Sequence, residues 1–492
     1  MPRPLKTPVA LGRLLPLLLA LHLLAAAAEP APSPDSRLRV ALAGAVGQGG
    51  KDIPNLAVHV ADLAEGGVDF AHRADVSMIP ASNQKLITTA AALELLGPDY
   101  AFETQLGLRG TVSPDGVLSG DLAVRGAGDP TISGRQDGDV YSAFRRWAAA
   151  LSRRGVRTVA GDLYLEHGLF EGPTVHPDWP PEQQQWWYEA PVAALSFQDN
   201  CVLLRAWGSN RSGARGVLEA VPRVGVLELR NNLRTTSQRG KHNWAVLRRP
   251  GSPVVEVSGQ LRASSAPLEV WVTVTDPVAY FGAALRAALA EEGIEIQGET
   301  RPVERLPGPW WELVHTHRTL LPAVLDVTNK RSQNFYAESL FKLMGARLCG
   351  AGSWEGVARV ISDFLVRRVG WERGDFRLAD GSGMSRSDRV SARQLTTLLE
   401  YMFARRTGVE YVRSLPFAGE PEASLHRRLT DAPYRGNVFA KTGTLSGTSA
   451  LSGYAKGRSG RIYAFSILAN GASAWSGRVA QDRIVQALVD NG

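Results

Sequence analysis

The feature that most constrains this chain is a change of texture that begins and ends well inside it. Near the start, "NLAVHVADLA" and "VDFAHR", separated by Glu65-Gly66-Gly67, alternate as the strands of a hairpin do. Near the end comes a second strand set: "NVFAKTGT", "SALSGYAK" and, past a turn at Gly457 to Gly460, "RIYAFSILAN". Between them, residues 99–306 carry short alternating segments such as "DLAVRG", "GDLYLEHG", "NCVLLRAWG", "VGVLELR" and "LEVWVTVTD", punctuated by Gly, Asn and Pro. The expectation is that the early and late strands share one sheet. The middle block is then a β-rich insertion, of one domain or two nested, into a discontinuous α/β domain. Helical patterns flank the strands: "RLRVALAGAV", Leu86 to Leu96 stopped by Gly97, "NFYAESLFKLMGARL", "SARQLTTLLEYMFARR" and a closing "GRVAQDRIVQALVD". The expected division is 37–98 and 307–492 for the discontinuous domain and 99–306 for the insertion, after a segment 1–28 and a Pro/Ser linker 29–36.

Segment 1–28 reads as an export signal. Arg3, Lys6 and Arg13 precede the apolar core "LLPLLLALHLL", and "AAAA" offers small residues for cleavage near Ala28. No later stretch reaches the ~18–20 apolar residues of a membrane span, so a periplasmic or secreted protein without a stable span is expected. Segment 1–28 holds three basic and no acidic residues, so the remainder carries +4 of the formal +7. That mild, dispersed charge suits an anionic wall and gives no footprint for nucleic acid. Cys201 and Cys349 read as two separate buried thiols, and "HTH" at His315 to His317 as surface. No metal and no other cofactor is expected. A homo-oligomer is compatible with the sequence.

The chemistry starts from a scarce residue. Only 8 of the 55 basic residues are lysines, and one of them stands in "PASNQKLITTAA". Arginine stays charged at any accessible pH, whereas a buried lysine, or one beside another cation, can give up its proton. Ser82 and Lys85 lie about one helical turn apart, with Ser82 at a helix start where free N–H groups favour developing negative charge. A serine nucleophile needs a base, and a neutral lysine is one. The pattern occurs twice: Ser339-Leu340-Phe341-Lys342 lies inside a helix and reads as surface or packing. Two further elements distinguish the first copy. Ser332-Gln333-Asn334 sets a hydroxyl and an amide near a helix start. Lys441-Thr442-Gly443-Thr444 sets a cation, a hydroxyl and open backbone on a strand, and Gly443 leaves room for a peptide to pair with it.

In this order, the three elements resemble the signature of active-site serine penicillin-binding proteins and class A β-lactamases. Across most of the chain the sequence is similar to the D-alanyl-D-alanine carboxypeptidase/endopeptidases, the low-molecular-mass class C penicillin-binding proteins. The likeness extends to "GAGDPT", "AALSFQDNCV", "DVTNKRSQNFYAE", "ADGSGMSR", "LPFAGEPEASLHRRL" and "KTGTLSGTSALSGYA". It implies a transpeptidase-like domain, an antiparallel sheet with helices, interrupted by β-rich domains. It implies that peptidoglycan stem peptides are substrates and that β-lactams mimic them. Ser82 attacks the D-Ala-D-Ala carbonyl, and Lys85, its pKa lowered by burial and by Lys441, takes the proton. Ser332 relays a proton to the leaving nitrogen, Asn334 holds the substrate peptide, and Lys441, Thr442 and Thr444 hold the terminal carboxylate. The N–H groups of Ser82 and Thr444 form the oxyanion hole, and Arg386 contacts an adjacent carboxylate. Departures from the pattern are Gln333 in the middle of the second element and Glu422 to Ser424 in place of Asp-Gly-Thr. A third is Gln183, with Glu182 beside it, where some relatives hold the diaminopimelate amine with an acidic side chain.

Two rival readings are a β-lactamase-like hydrolase and a wall-binding or β-lactam-sensing protein with a silent site. The long insertion, and the lack of an acidic deacylation signature between Phe335 and Asp375, argue against the first. The complete set of motif side chains argues against the second. Trp310-Trp311 and Trp186-Trp187-Tyr188 read as packing rather than sugar platforms, and "GAGDPT" as a structural turn or domain contact because it lacks the third glycine of a dinucleotide loop.

Overall fold

The computed structural model describes residues 36–64, 68–134, 138–237, 239–308 and 311–492. The export signal, nearly all of the linker, the Glu65-Gly66-Gly67 link and Trp310 lie outside the described residues. The chain divides into two compact units. One is Ala101–Thr319; the other joins the described residues through Tyr100 to Leu320–Gly492.

In the discontinuous unit the strands are β1 (Asn55–Asp62), β2 (Val68–His72), β3 (Val438–Leu445), β4 (Thr448–Lys456) and β5 (Ile462–Asn470). They form one antiparallel sheet in the order β3-β4-β5-β1-β2, with β1 paired to β5 from Asn55↔Asn470 to Asp62↔Tyr463. The two ends of the chain therefore build a single sheet. Its helices are α1 (Ser36–Gly49), α2 (Gln84–Leu96), α3 (Leu321–Lys330), α4 (Asn334–Cys349), α5 (Trp354–Phe364), α6 (Ala392–Phe403), α7 (Gly408–Ser414) and α8 (Ala474–Asn491). Leu38 and Leu42 of α1, with Ile484 and Leu488 of α8, bury against Leu56, Val58, Val60, Phe465 and Ile467 of the sheet. Strands β4 and β5 are buried on both faces, because a second helical layer covers the other side. Helix α2 is buried from Gln84 through Leu93, the mark of a central helix rather than an amphipathic surface one. It ends at Gly97, whose φ of 86° lets the amide reach the Leu93 carbonyl.

The Ala101–Thr319 unit contains three sheets. The largest has seven strands, with Ala101–Val112, Val117–Arg125 and Glu312–Leu320 among them, and the other two have three strands each. Two helices, Ser142–Arg153 and Pro277–Glu291, pack onto them through Phe144, Trp147, Leu151, Phe281, Leu285 and Leu289. The expectation of a β-rich block did not include these helices. Within "GAGDPT", Asp129 accepts from the Thr131 amide and hydroxyl at 2.8 Å each, and the turn is tied to its surroundings through Thr131 to Thr319 and Gly128 to the Ala194 carbonyl.

Three smaller expectations are corrected. Cys201 is buried but Cys349 is exposed, because it ends α4, where its thiol donates to the Gly345 carbonyl (3.1 Å). His315 and His317 are half-buried in a strand rather than on the surface; His315 packs on the Trp147 ring and His317 faces Asp129. Trp187 is exposed, edge-on to Tyr188, while the half-buried Trp311 is covered on one face by the Arg109 guanidinium (4.7 Å).

Candidate active site

Ser82 sits in a single 3-10 turn, Ala81–Asn83, that runs straight into α2. Ala81 adopts the left-handed region (φ 48°), a conformation costing about 1 kcal/mol that persists where neighbours over-determine it. The neighbours are visible. Asn83, fully buried, uses its amide nitrogen to donate to the Lys441 carbonyl (2.9 Å). Its oxygen accepts from the Ser452 amide (3.2 Å) and hydroxyl (2.6 Å). The turn is thereby stitched to β3 and β4. A Cβ at Gly443 would stand 2.9 Å from the Pro80 carbonyl and 3.0 Å from the Ser82 amide. Glycine is required there so that the Ser82 turn can lie against the strand, whereas the sequence reading had assigned the glycine to substrate pairing.

Lys85 is fully buried. Its Nζ lies 3.0 Å from Ser82 Oγ, 2.7 Å from Asn334 Oδ1 and 2.8 Å from the Ser382 carbonyl oxygen. The last two atoms can only accept. A neutral amine offers two N–H donors and one lone pair. Both N–H bonds go to the acceptors, so the lone pair faces Ser82, whose hydroxyl then donates to Nζ. Burial lowers the Lys85 pKa to about 7, against the opposing pull of Asp380, Glu338 and Asp388. Lys441, also buried, is held well below its ordinary value by burial and by Lys85. Burial lowers both amines, and a charge on either one opposes a charge on the other.

A second serine–lysine pair adjoins the first. Lys441 Nζ donates to Ser332 Oγ (2.7 Å) and to the Thr442 carbonyl (2.8 Å). Ser332 has a left-handed backbone (φ 56°) just before α4, whose first residue is Asn334. Thr442, Gly443 and Thr444 follow Lys441 along β3, an end strand of the sheet, and Thr444 is exposed. Arg386 donates to the Ser446 carbonyl (2.6 Å) beyond the end of β3. Ser82, Lys85 and Asn334 therefore form one hydrogen-bonded group and Ser332 and Lys441 a second, near enough for the two amines to repel each other, with Thr442 to Thr444 continuing along the strand. Glu182 and Gln183 lie in a short turn of the Ala101–Thr319 unit.

The sequence reading missed three supports. Asn83 is the first. The second is Arg478, which reaches the Thr444 hydroxyl at 3.4 Å. The third is the loop "ADGSGMSRSD", whose Ser382 carbonyl engages Lys85 and in which the sequence reading had given a role to Arg386 alone. That loop also docks on α2, through Gln84 Nε2 to the Asp380 carbonyl (3.2 Å) and Thr88 Oγ1 to the Gly381 carbonyl (2.7 Å). No local pattern marks Asn83 or Arg478, since their partners are remote in sequence. Among the described residues no cluster of three or more His, Cys, Asp or Glu side chains could hold a metal.

The second Ser-x-x-Lys is packing. Ser339 donates to the Phe335 carbonyl (2.9 Å), and the Lys342 ammonium rests 4.2 Å from the centre of the Trp354 ring. Ser339→Ala is expected to cost about 1 kcal/mol of stability while leaving penicillin labelling unchanged, read from a thermal melt beside a labelling gel.

The arrangement suits acyl transfer: a hydroxyl at a helix start with a lone pair aimed at its proton, and a second hydroxyl held by a second amine. The comparisons agree. The chain is 34% identical over 450 residues to a D-alanyl-D-alanine carboxypeptidase of Actinomadura sp. (strain R39), covering 88% of this chain and 81% of that protein. It is 27% identical over 400 residues to the D-alanyl-D-alanine carboxypeptidase DacB of Haemophilus influenzae, covering 80% and 81%. The fold matches the crystal structure of penicillin binding protein 4 (dacB) from Haemophilus influenzae with a TM-score of 0.76 at 23% identity, over 89% of this chain and 97% of that one. Residues 39–490 match the D-Ala-D-Ala carboxypeptidase 3 (S13) family, and the chain belongs to that family of serine-type D-Ala-D-Ala carboxypeptidases.

Proposed function

We propose that this protein hydrolyses the D-Ala-D-Ala bond of peptidoglycan stem peptides and cross-links through an acyl-enzyme on Ser82. The observation that carries this reading is the set of contacts at Lys85: two acceptors take two N–H bonds, so the neutral form of the amine has its lone pair left for the Ser82 proton. Ser82 Oγ bonds to the carbonyl carbon as its proton passes to Lys85. The C–N bond to the leaving D-alanine breaks as Ser332, held by Lys441, delivers a proton to that nitrogen. Asn334 holds the peptide, and Lys441, Thr442, Gly443 and Thr444, with Arg386, receive the terminal carboxylate. The amides of Ser82 and Thr444 stabilise the oxyanion. Water then releases the shortened peptide and returns Ser82. A β-lactam forms the same ester, but its leaving group stays tethered, so release is slow. The Ala101–Thr319 unit is an insertion into the catalytic domain. Action is periplasmic or extracellular, after cleavage near Ala28; among the described residues no helix is long and apolar enough to cross a membrane.

The test uses purified protein with a fluorescent penicillin and, separately, a D-Ala-D-Ala stem peptide, beside Ser82→Ala. A stable label and D-alanine release are expected, both reduced about 10⁴-fold or more in the variant. Rapid penicillin turnover would favour the β-lactamase reading. Neither label nor release would mean a silent site.

A further inference from the structure

Behind Lys85 lie three buried carboxyl groups with no part in the reaction so far. Glu338, on α4, is fully buried. Its Oε1 accepts from the Ser382 amide (2.7 Å) and both oxygens stand 3.1 Å from the Gly381 amide. Trp354 Nε1 on α5 donates to its Oε2 at 2.8 Å. Asp380 accepts from the amides of Gly383 and Ser385 at 2.6 Å each. Asp388 accepts from the Ala379 amide at 2.6 Å. The two aspartates shape the ends of the loop. Glu338 grips the peptide groups on either side of Gly381, with Asp380 sharing the Ser382 amide at 3.2 Å, immediately before the Ser382 carbonyl that meets Lys85 Nζ at 2.8 Å.

Resting on the assignment of Lys85 as base to Ser82, we propose that Glu338 is a positioning residue for that base. It fixes the Ser382 carbonyl against one N–H of Lys85, and its carboxylate counters the positive charge Lys85 gains when Ser82 surrenders its proton. A loop held only by backbone contacts needs no buried carboxylate. Burying one is expensive unless its charge meets donors and a cation; here three N–H donors meet it, and the site amine becomes the cation when it takes the Ser82 proton.

The charged groups facing the pair are known. Lys85 is faced by Lys441 from β3, Glu338 from α4, and Asp380 and Asp388 from the loop. Glu338 is faced by Asp380, and Lys342 is stacked on the Trp354 ring that hydrogen-bonds to it. Burial, then Asp380, raises the Glu338 pKa to about 7, so its charge titrates over the range where the base does. Burial and Asp380 also push Asp388 well above the ordinary carboxylate range.

The sign follows. Acylation needs neutral Lys85, so its rate should rise with pH through about 7 in the unmodified protein. Glu338→Gln removes a negative charge that raises the Lys85 pKa, so the acid limb should move down by about one pH unit. The plateau should fall about tenfold, because the lysine cation formed during attack loses its counter-charge. Glu338→Asp keeps the charge and should hold the limb within a few tenths of a unit. Trp354→Phe removes one donor from Oε2, favours the protonated carboxyl, and should move the limb in the same direction by less.

The experiment measures second-order acylation by a fluorescent penicillin from pH 5 to 9 for the unmodified protein and these variants, with Ser82→Ala as blank. A downward limb shift in Glu338→Gln, or in Trp354→Phe if the first variant does not fold, supports the proposal. A reduced plateau with an unmoved limb in the folded variants overturns it, leaving Glu338 a purely structural group. An unmodified protein with no acid limb would instead remove the assignment of Lys85 as base.

Discussion

Lys85→Arg is expected to reduce penicillin acylation about 10³-fold or more, although the side chain remains a cation. Nζ is enclosed by three oxygens at 2.7 to 3.0 Å in a fully buried site. The reaction requires one of those contacts to run from Ser82 to the amine, with the hydroxyl donating and Nζ accepting. A guanidinium has donors only and does not lose a proton at working pH. It would keep the Asn334 and Ser382 contacts at best and offer Ser82 no lone pair. The second-order labelling rate, beside a melt showing that the variant is folded, checks this. Labelling within tenfold of the unmodified protein would mean that some other group takes the Ser82 proton.

Gly383→Ala should be the most damaging single methyl addition near the site. Gly383 has φ 80°, and a Cβ there would fall 1.8 Å from the Ala81 carbonyl oxygen and 2.4 Å from its carbon. Those are backbone atoms of the residue immediately before the nucleophile, itself held at positive φ and stitched to β3 through Asn83. Neither side can yield without moving Ser82. The expected cost is about 2–4 kcal/mol from left-handed strain and overpacking, with labelling reduced about 100-fold by misplacement of the hydroxyl. Gly370→Ala separates the two contributions. It shares the positive φ (86°) but has nothing within 4 Å of the added carbon, so it should show only the ~1 kcal/mol backbone penalty and near-normal labelling. Equal behaviour of the two variants would show that the contact with Ala81 is harmless.

Much of the catalytic unit was legible because its signals are local. The alternation of "NLAVHVADLA" and of the three late strands gave their conformation, and the change of texture between them pointed to a sheet shared by the two ends. The two helices of the Ala101–Thr319 unit were equally local yet overlooked. Phe144, Trp147, Ala148 and Leu151 repeat at helical spacing, but the glycines on either side of them are equally the punctuation of short strands. The exposure of Cys349 was not legible, because its position at the last turn of α4 depends on where Gly350 enters the left-handed region (φ 69°).

The sequence by itself determined the reactive groups and their family: a serine at a helix start, a lysine one turn on, and two partner motifs whose order is specific. Spacing along one helix brings Ser82 and Lys85 together whatever else the chain does. Only the tertiary structure decided the protonation of that lysine. Its other two contacts come from residues 249 and 297 positions away, and burial, the property that lowers its pKa to about 7, has no local code. Glu338 shows the same limit. In sequence it is one acid on a helix; folded, it grips the loop that meets the base, because α4 and the Asp380 loop converge behind α2. A pKa is set by everything packed around a group, and that surrounding is a property of the fold rather than of any stretch of the chain.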